Sequence, residues 1–247
     1  MKTVLITGAG SGIGAATARQ LSRSWRVVLA DRDRDRVETV AEALRAEGRA
    51  ATAVAVDVTL AASVTNMMRQ IAREIGPIHS LFSNAGIGLD RTVEQTTPAQ
   101  WRMVLDVHVK GAFLTTKAVL PQMMERRSGS IVMMGSDYSV KGMKSGAAYA
   151  AAKSAIYSLA KSVAMEFAAF NIRCNCVGPG PIETPLLKAG RDDQDWEEWK
   201  ALRAAQIPMG RLGTPEDVAG VVEFLLGDDS AYITGQIIHP NGGQISW

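Results

Sequence analysis

Strand-length apolar runs alternate with helix-length amphipathic segments along the whole chain, and this alternation limits the fold more than any other feature. The runs TVLIT (3–7), RVVLA (26–30), ATAVAV (51–56), SLFS (80–83), SIVMM (130–134), IRCNCV (172–177) and QIIHP (236–240) are short and mostly apolar on both faces, as buried parallel strands are. Helical periodicity fills the intervals near 12–23, 35–47, 61–75, 98–126, 146–169 and 214–226. The last helix opens with TPED, a Thr cap followed by Pro and two acids. The pattern predicts one α/β domain over 1–247, a doubly wound (Rossmann) parallel sheet of about seven strands flanked by helices. Its ligand belongs at the carboxyl ends of the strands. The insertion 183–206 follows one such end and is expected to form a small helical lid over whatever binds there.

Composition excludes several classes of function. With 247 residues, 47% of them hydrophobic, the chain can bury a full core without staples. A net charge of +2 with no long basic block argues against nucleic acid as a partner. Neither a membrane-length apolar run nor a signal peptide is found, so a cytoplasmic location is expected. Cys174 and Cys176 read as ordinary reduced thiols, and three scattered histidines give no metal cluster.

The first strand runs into TGAGSGIG (7–14) and then a helix. Gly8, Gly12 and Gly14 let the backbone turn sharply and approach a pyrophosphate at the helix N-terminus, with Ser11 and Ile13 between them. Together with Asp31 at the end of the second strand, the loop predicts a dinucleotide site. A carboxylate at position 31 can accept hydrogen bonds from ribose hydroxyls and repels a 2′-phosphate, which favours NAD(H). Arg32, next to it, could grip that phosphate and argues the other way.

Within AAYAAAKSAI, Tyr149 and Lys153 share one helical face at i,i+4 spacing. Ser136 follows the fifth strand at the same sheet edge. A hydroxyl, a phenol and an ammonium beside a nicotinamide form a proton-transfer set for an alcohol/carbonyl pair. A phenol acting as base needs its pKa lowered from about 10 by nearby positive charge, here Lys153 and the oxidised nicotinamide.

These residues, with DV (57–58), SNAG (83–86), IRCNCVGPG, IETP and the closing GRLGTPEDVA…ITGQ…NGG, resemble the short-chain dehydrogenase/reductase family over essentially the entire chain. The resemblance implies that Tyr149 is the general acid/base, that Ser136 orients the substrate oxygen, and that Lys153 holds the nicotinamide ribose. It further implies that Asp57 and Val58 contact adenine and that Asn84, Ala85 and Gly86 line the cofactor. Pro179, Gly180, Ile182 and Thr184 would border the nicotinamide, with the Ile182 backbone and the Thr184 hydroxyl facing its carboxamide. The family is usually tetrameric or dimeric, so a homotetramer or homodimer is expected, and it needs no metal. One position departs from the family's pattern. DVHVKG places His108 where asparagine is usual in a helix kink that serves a proton relay. His108 is therefore a candidate catalytic residue, expected to titrate near pH 6–7, with a buried neutral histidine that only packs as the alternative.

In such a fold, substrate walls should come from Asp137, Tyr138, Met143, Lys144, Leu186, Leu187, Trp196 and Trp199, beside Ser136 and Tyr149. The expected activity is NAD(H)-dependent interconversion of a small or medium secondary alcohol and its ketone. An NADPH-dependent 3-oxoacyl-(acyl-carrier-protein) reductase shares the same motifs, and a non-catalytic dinucleotide-binding scaffold is the remote third reading.

Overall fold

The computed structural model describes residues 1–189 and 192–245. In chain order its first half contains β1 (Thr3–Thr7), α1 (Gly12–Leu21), β2 (Arg26–Asp31), α2 (Arg34–Ala46), β3 (Ala51–Ala55), α3 (Ala61–Glu74), β4 (Ser80–Ser83), α4 (Pro98–Leu105) and α5 (Gly111–Arg126). The second half continues with β5 (Gly129–Met134), α6 (Ala147–Phe167), β6 (Ile172–Val177), α7 (Pro185–Lys188), α8 (Asp193–Ala204), α9 (Pro215–Leu226) and β7 (Ile237–Ile238). The strands form one sheet in the order β3-β2-β1-β4-β5-β6-β7, every pairing parallel. Strands covered on both faces must be apolar throughout, and β1 and β4 are buried at every position. One core lies on each side of the sheet, the first around Ile6, Leu29 and Val222, the second around Leu5, Leu81 and Ile131. Among the described residues, no helix is long and apolar enough to cross a membrane.

Two elements differ from expectation. The single helix expected over 98–126 is two, joined by a π-turn at Asp106–Lys110 in which the Gly111 N–H reaches back five residues to the Asp106 carbonyl. Such a turn inserts one extra residue into the helix and redirects the side chains on it, here His108. The expected strand 236–240 shrinks to Ile237–Ile238. Pro240 has no N–H for a ladder, and His239 turns to a side-chain partner instead. Buried Asn175 holds this short edge strand in place, donating to the Ile233 carbonyl at 2.8 Å and accepting the Gln236 N–H at 3.0 Å.

The sheet reverses direction of growth between β1 and β4, and a polar tie fixes that switch point. Thr7 Oγ1 accepts the N–H groups of Asn84 and Ala85 at 3.0 and 3.1 Å. Asn84 Nδ2 returns two bonds of 3.0 Å, to the carbonyls of Thr7 and Gly8. The glycine loop is thereby anchored from outside itself. Thr7→Val keeps the shape but leaves two N–H donors without an acceptor, each costing about 1–3 kcal/mol. Urea unfolding should show a loss of at least about 2 kcal/mol. A change within about 0.5 kcal/mol would show that the tie contributes nothing.

Candidate active site

The glycine loop is shaped to receive a ligand. Gly8 and Gly12 adopt φ of +65° and +51°, where a side chain would be strained. A Cβ on Gly14 would collide with the Gly8 carbonyl oxygen, so α1 can approach β1 this closely only without one. Ser11 stands exposed at the start of α1, and Ile13 packs against the first core. Asp31 closes the far side. Its two carboxylate oxygens accept the Gly10 and Asp33 N–H groups at 2.9 and 3.1 Å. Each oxygen keeps acceptor capacity for a further donor. The cradle and its carboxylate thus suit a pyrophosphate followed by a ribose.

Beside Asp31, exposed Arg32 lines a cleft of about 340 Å³ with Asp57, Thr59, Arg102 and Asp106. Asp57 accepts the Thr59 N–H and hydroxyl at 2.9 and 2.7 Å, and these bonds hold its carboxyl below the usual range, with Arg32 and Lys110 assisting. Val58 turns its side chain into the core against Gly111. Gly86 is exposed, Ala85 is half-buried, and both follow the Asn84 tie.

Ser136 follows β5 by two residues and is buried. Its Oγ accepts the Tyr138 N–H at 3.2 Å, and its own N–H goes to Ser139 Oγ at 3.1 Å. Ser139 Oγ donates in turn to the Lys153 carbonyl at 3.0 Å. Lys153 Nζ donates to the Met134 carbonyl at 2.7 Å and lies 5.4 Å from the Tyr149 ring centroid. Strand end, loop and helix are therefore stitched together around the three reactive groups. Sequence reasoning did not single out Ser139 or the Met134 carbonyl. The SxxS spacing from Ser136 to Ser139, a capping-box pattern, was the available signal.

Burial dominates the electrostatics of the phenol and the ammonium. Burial pushes the Tyr149 phenol up to about 12, with a hydrogen bond from Ser136 pulling partly back. Burial also brings Lys153 down to about 8. The Lys153 ammonium gives its own hydrogen bond to a carbonyl, and desolvation is the largest influence on the phenol.

His108 is buried on the π-turn, its ring edge-on to Tyr149 at 5.4 Å. Nε2 lies 2.8 Å from the Ile87 carbonyl and 3.1 Å from the Ile87 N–H, so either neutral tautomer finds a partner there. Nδ1 has no partner among the described residues. A Cβ on Gly86 would stand 2.6 Å from Cε1, so that glycine makes room for the imidazole. The expected titration near neutrality is overturned. Burial first, and the Lys153 charge second, lower the pKa to about 3.

The remaining expected residues divide. Tyr138 is half-buried, edge-on to Tyr149 at 6.4 Å between centroids. Lys144 and Leu186 are exposed, and Leu186 lies across from Gly88, where an added Cβ would be 3.5 Å away. Thr184 packs on Gly12, and its Oγ1 accepts the Leu187 N–H at 3.3 Å, capping α7. Ile182 is buried and bridges to Gly213, while the Pro179 carbonyl accepts the Asp137 N–H at 3.0 Å. Gly180 packs against Asn241. Met143 packs on Gly146. Asp137 does not line an open pocket, because its carboxylate is buried and engaged by Lys141, His239 and Asn241. Trp196 is likewise buried, stacked on Trp199 at 5.4 Å and packed with Ile207, Leu212 and Leu187. It anchors the 183–206 insertion instead of forming an exposed wall. Residues 190 and 191 of the lid lie outside the described residues.

Comparison with known proteins agrees with this geometry. A family model described as enoyl-(acyl carrier protein) reductase matches residues 8–244. The 3-oxoacyl-(acyl-carrier-protein) reductase FabG of Escherichia coli is 36% identical over 243 residues, covering 98% of this chain and 96% of that one. The 2-(S)-hydroxypropyl-CoM dehydrogenase 3 of Xanthobacter autotrophicus is 37% identical over 244 residues, with the same coverage of 98% and 96%. The solved structure of gox2181 superimposes with a TM-score of 0.92 at 34% identity, covering 100% of this chain and 96% of that one.

A buried neutral His108 makes the protein acid-sensitive. Its folded pKa of about 3 lies below the ordinary 6.5, so the unfolded chain takes up the proton first. Stability is full above about pH 6.5 and falls as pH drops towards the folded value. Between pH 7 and pH 5 the wild type should lose about 2 kcal/mol more than His108→Asn in urea unfolding. Equal losses would mean that His108 is open to protonation. Its pH–rate profile should superimpose on that of His108→Asn through the neutral range.

Proposed function

The chain belongs to the short-chain dehydrogenase/reductase family, and from that premise we propose that it is an NAD(H)-dependent oxidoreductase acting on a small or medium secondary alcohol and its ketone. The observation that carries the reading is the Ser136–Tyr149–Lys153 set stitched together at the sheet edge that also presents the glycine cradle. The dinucleotide, when bound, supplies or accepts the hydride. Gly8, Gly12 and Gly14 with the start of α1 receive its pyrophosphate, Asp31 its adenosine ribose, and Lys153 its nicotinamide ribose. Ser136 Oγ donates to the substrate oxygen and fixes its orientation. Tyr149 carries the proton that joins that oxygen as the ketone is reduced, or leaves it as the alcohol is oxidised. A phenol held near 12 keeps its proton at rest and is ready as the acid. It becomes a base only when positive charge is brought beside it. An assembly of like copies, a homotetramer or homodimer, belongs to the same reading, and Trp101, Met103 and Phe113 supply exposed apolar surface for it.

A second reading, an NADPH-dependent reductase of 3-oxoacyl chains on a carrier protein, is favoured by the name of the Escherichia coli relative. Arg32 and Arg102 beside the adenosine end lend it support. Asp31 opposes it, since a carboxylate there repels a 2′-phosphate.

A panel of secondary alcohols, diols, hydroxy acids and polyols with NAD⁺, set against a 3-oxoacyl thioester with NADPH, separates the two. Tyr149→Phe should lower turnover at least about 100-fold while cofactor binding, read by nicotinamide fluorescence, persists. Retention of more than about a tenth of wild-type turnover would remove Tyr149 from the chemistry. Asp31→Ala should narrow the ratio of kcat/KM for NAD(H) over NADP(H). An unchanged ratio would leave Asp31 as a turn residue only.

A further inference from the structure

Asp137 adjoins Ser136 in the chain yet belongs to a separate buried network. Its side chain is 3% exposed and faces three donors. Lys141 Nζ lies 3.4 Å from Oδ2, while His239 Nδ1 and Asn241 Nδ2 lie 3.2 and 3.1 Å from Oδ1. His239 Nδ1 also lies 2.8 Å from the Gly178 carbonyl. Both of its neighbours are acceptors, so Nδ1 carries a proton and the ring is locked in orientation. Gly178 leaves the space for that ring, since a Cβ there would stand 2.6 Å from Nδ1. Asn241 is fixed as well, accepting the Gly243 N–H at 3.0 Å and donating to the Ile245 carbonyl at 3.1 Å.

These partners come from the end of β6 and from the segment after β7, whereas Asp137 sits on the loop between β5 and α6. The carboxylate therefore clamps the serine-bearing loop to the far edge of the sheet. The Asp137 N–H adds a bond to the Pro179 carbonyl at 3.0 Å, so residue 137 is pinned through backbone and side chain alike. Of its two chain neighbours, Ser136 belongs to the reactive set and Tyr138 supplies the amide that holds it. Ser136 Oγ is held by the N–H of Tyr138, so any rotation at residue 137 moves hydroxyl and amide relative to each other. Lys141 lies over the Tyr138 ring at 5.1 Å, and that ring meets Tyr149 edge-on.

We propose that Asp137, gripped by His239 and Asn241, is the positioning residue for Ser136, setting its hydroxyl for the reacting oxygen without touching substrate. For turnover the proposal rests on the alcohol/ketone reading above. For geometry it does not. His239 and Asn241 meet the same carboxylate oxygen, so Asp137→Asn keeps their acceptor and turns N–H only towards Lys141. Asp137→Leu leaves both donors without an acceptor.

The test measures kcat, cofactor KM and amide hydrogen exchange of the 135–140 segment in Asp137→Leu, Asp137→Asn, His239→Leu and His239→Asn. Asp137→Leu and His239→Leu should lower kcat between about 10- and 100-fold, as a misplaced group does, with cofactor KM within about twofold. Exchange at the Tyr138 amide should quicken in both. Asp137→Asn, which keeps the shared oxygen, and His239→Asn with its amide at the place of Nδ1, should recover turnover and slow exchange to within about fivefold of wild type. Wild-type kcat and exchange in the leucine variants would overturn the proposal, as would a loss that neither asparagine reverses or a parallel loss of cofactor binding. Should Asp137→Leu not fold, the His239 pair decides. Should wild type turn over no alcohol or ketone, the functional reading fails, and exchange alone still decides the clamp.

Discussion

An ammonium taken out of water must have its protons accepted, and the placement of Lys153 follows from that need. It is 2% exposed, and its head group meets the Met134 carbonyl, the last of β5, at 2.7 Å. That bond ties the middle of α6 to the carboxyl end of a central strand. Tyr149, one turn earlier, is then fixed over the same edge, and Ser136 stands two residues beyond the strand. Removing the carbonyl's grip would leave a buried charge unpaired, which costs several kcal/mol. The active-site geometry is thus a condition of burying the lysine.

The parallel sheet explains why such a site can form here. Every strand ends at one edge, so loops from β1, β2, β4, β5 and β6 converge there without long excursions. The break in strand order between β1 and β4 opens a crevice, and the Thr7–Asn84 tie holds its two lips at fixed separation. Glycines are needed only where backbone must meet backbone, as at Gly14 against the Gly8 carbonyl. The 183–206 insertion follows a different logic. Its α8 has few apolar residues, so a stacked tryptophan pair and the Ile207–Leu212 corner do the packing.

Much of this was legible in the chain because it rests on local pattern. The alternation of runs gives the sheet, the glycine spacing gives the cradle, and i,i+4 spacing puts Tyr149 and Lys153 on one face. What stayed hidden depends on long-range contact. Asp137 looked like a pocket residue from its place after Ser136, but two of its three side-chain partners lie 102 and 104 residues away. Trp196 looked like a pocket wall, but it is the buried residue of α8, packed on Ile207 and Leu212. The π-turn at 106–110 has no signal in composition, since DVHVKG reads as helical; only the family resemblance implies a kink there, and hydrogen bonding shows the extra residue. The titration expected of His108 failed for a related reason. Charge proximity can be guessed from sequence, whereas desolvation depends on every atom around the group.

Desolvation also sets how the site rests. Tyr149 is raised to about 12, Lys153 lowered to about 8 and His108 lowered to about 3, so burial drives each of the three towards its uncharged form. Charges interact strongly where water is scarce, because the effective dielectric is far below that of bulk solvent. A phenol in such a place holds its proton until a cation arrives beside it. Under the proposed reaction that reserve has a use, since the group is a competent acid in the resting protein and becomes a base only in the loaded one. His108 fits the same scheme as a neutral ring. Its Nε2 is satisfied by Ile87 in either tautomer, so it can pack against Tyr149 without adding a charge that would oppose Lys153. An asparagine is neutral by nature, and a histidine at this position is kept neutral by its burial.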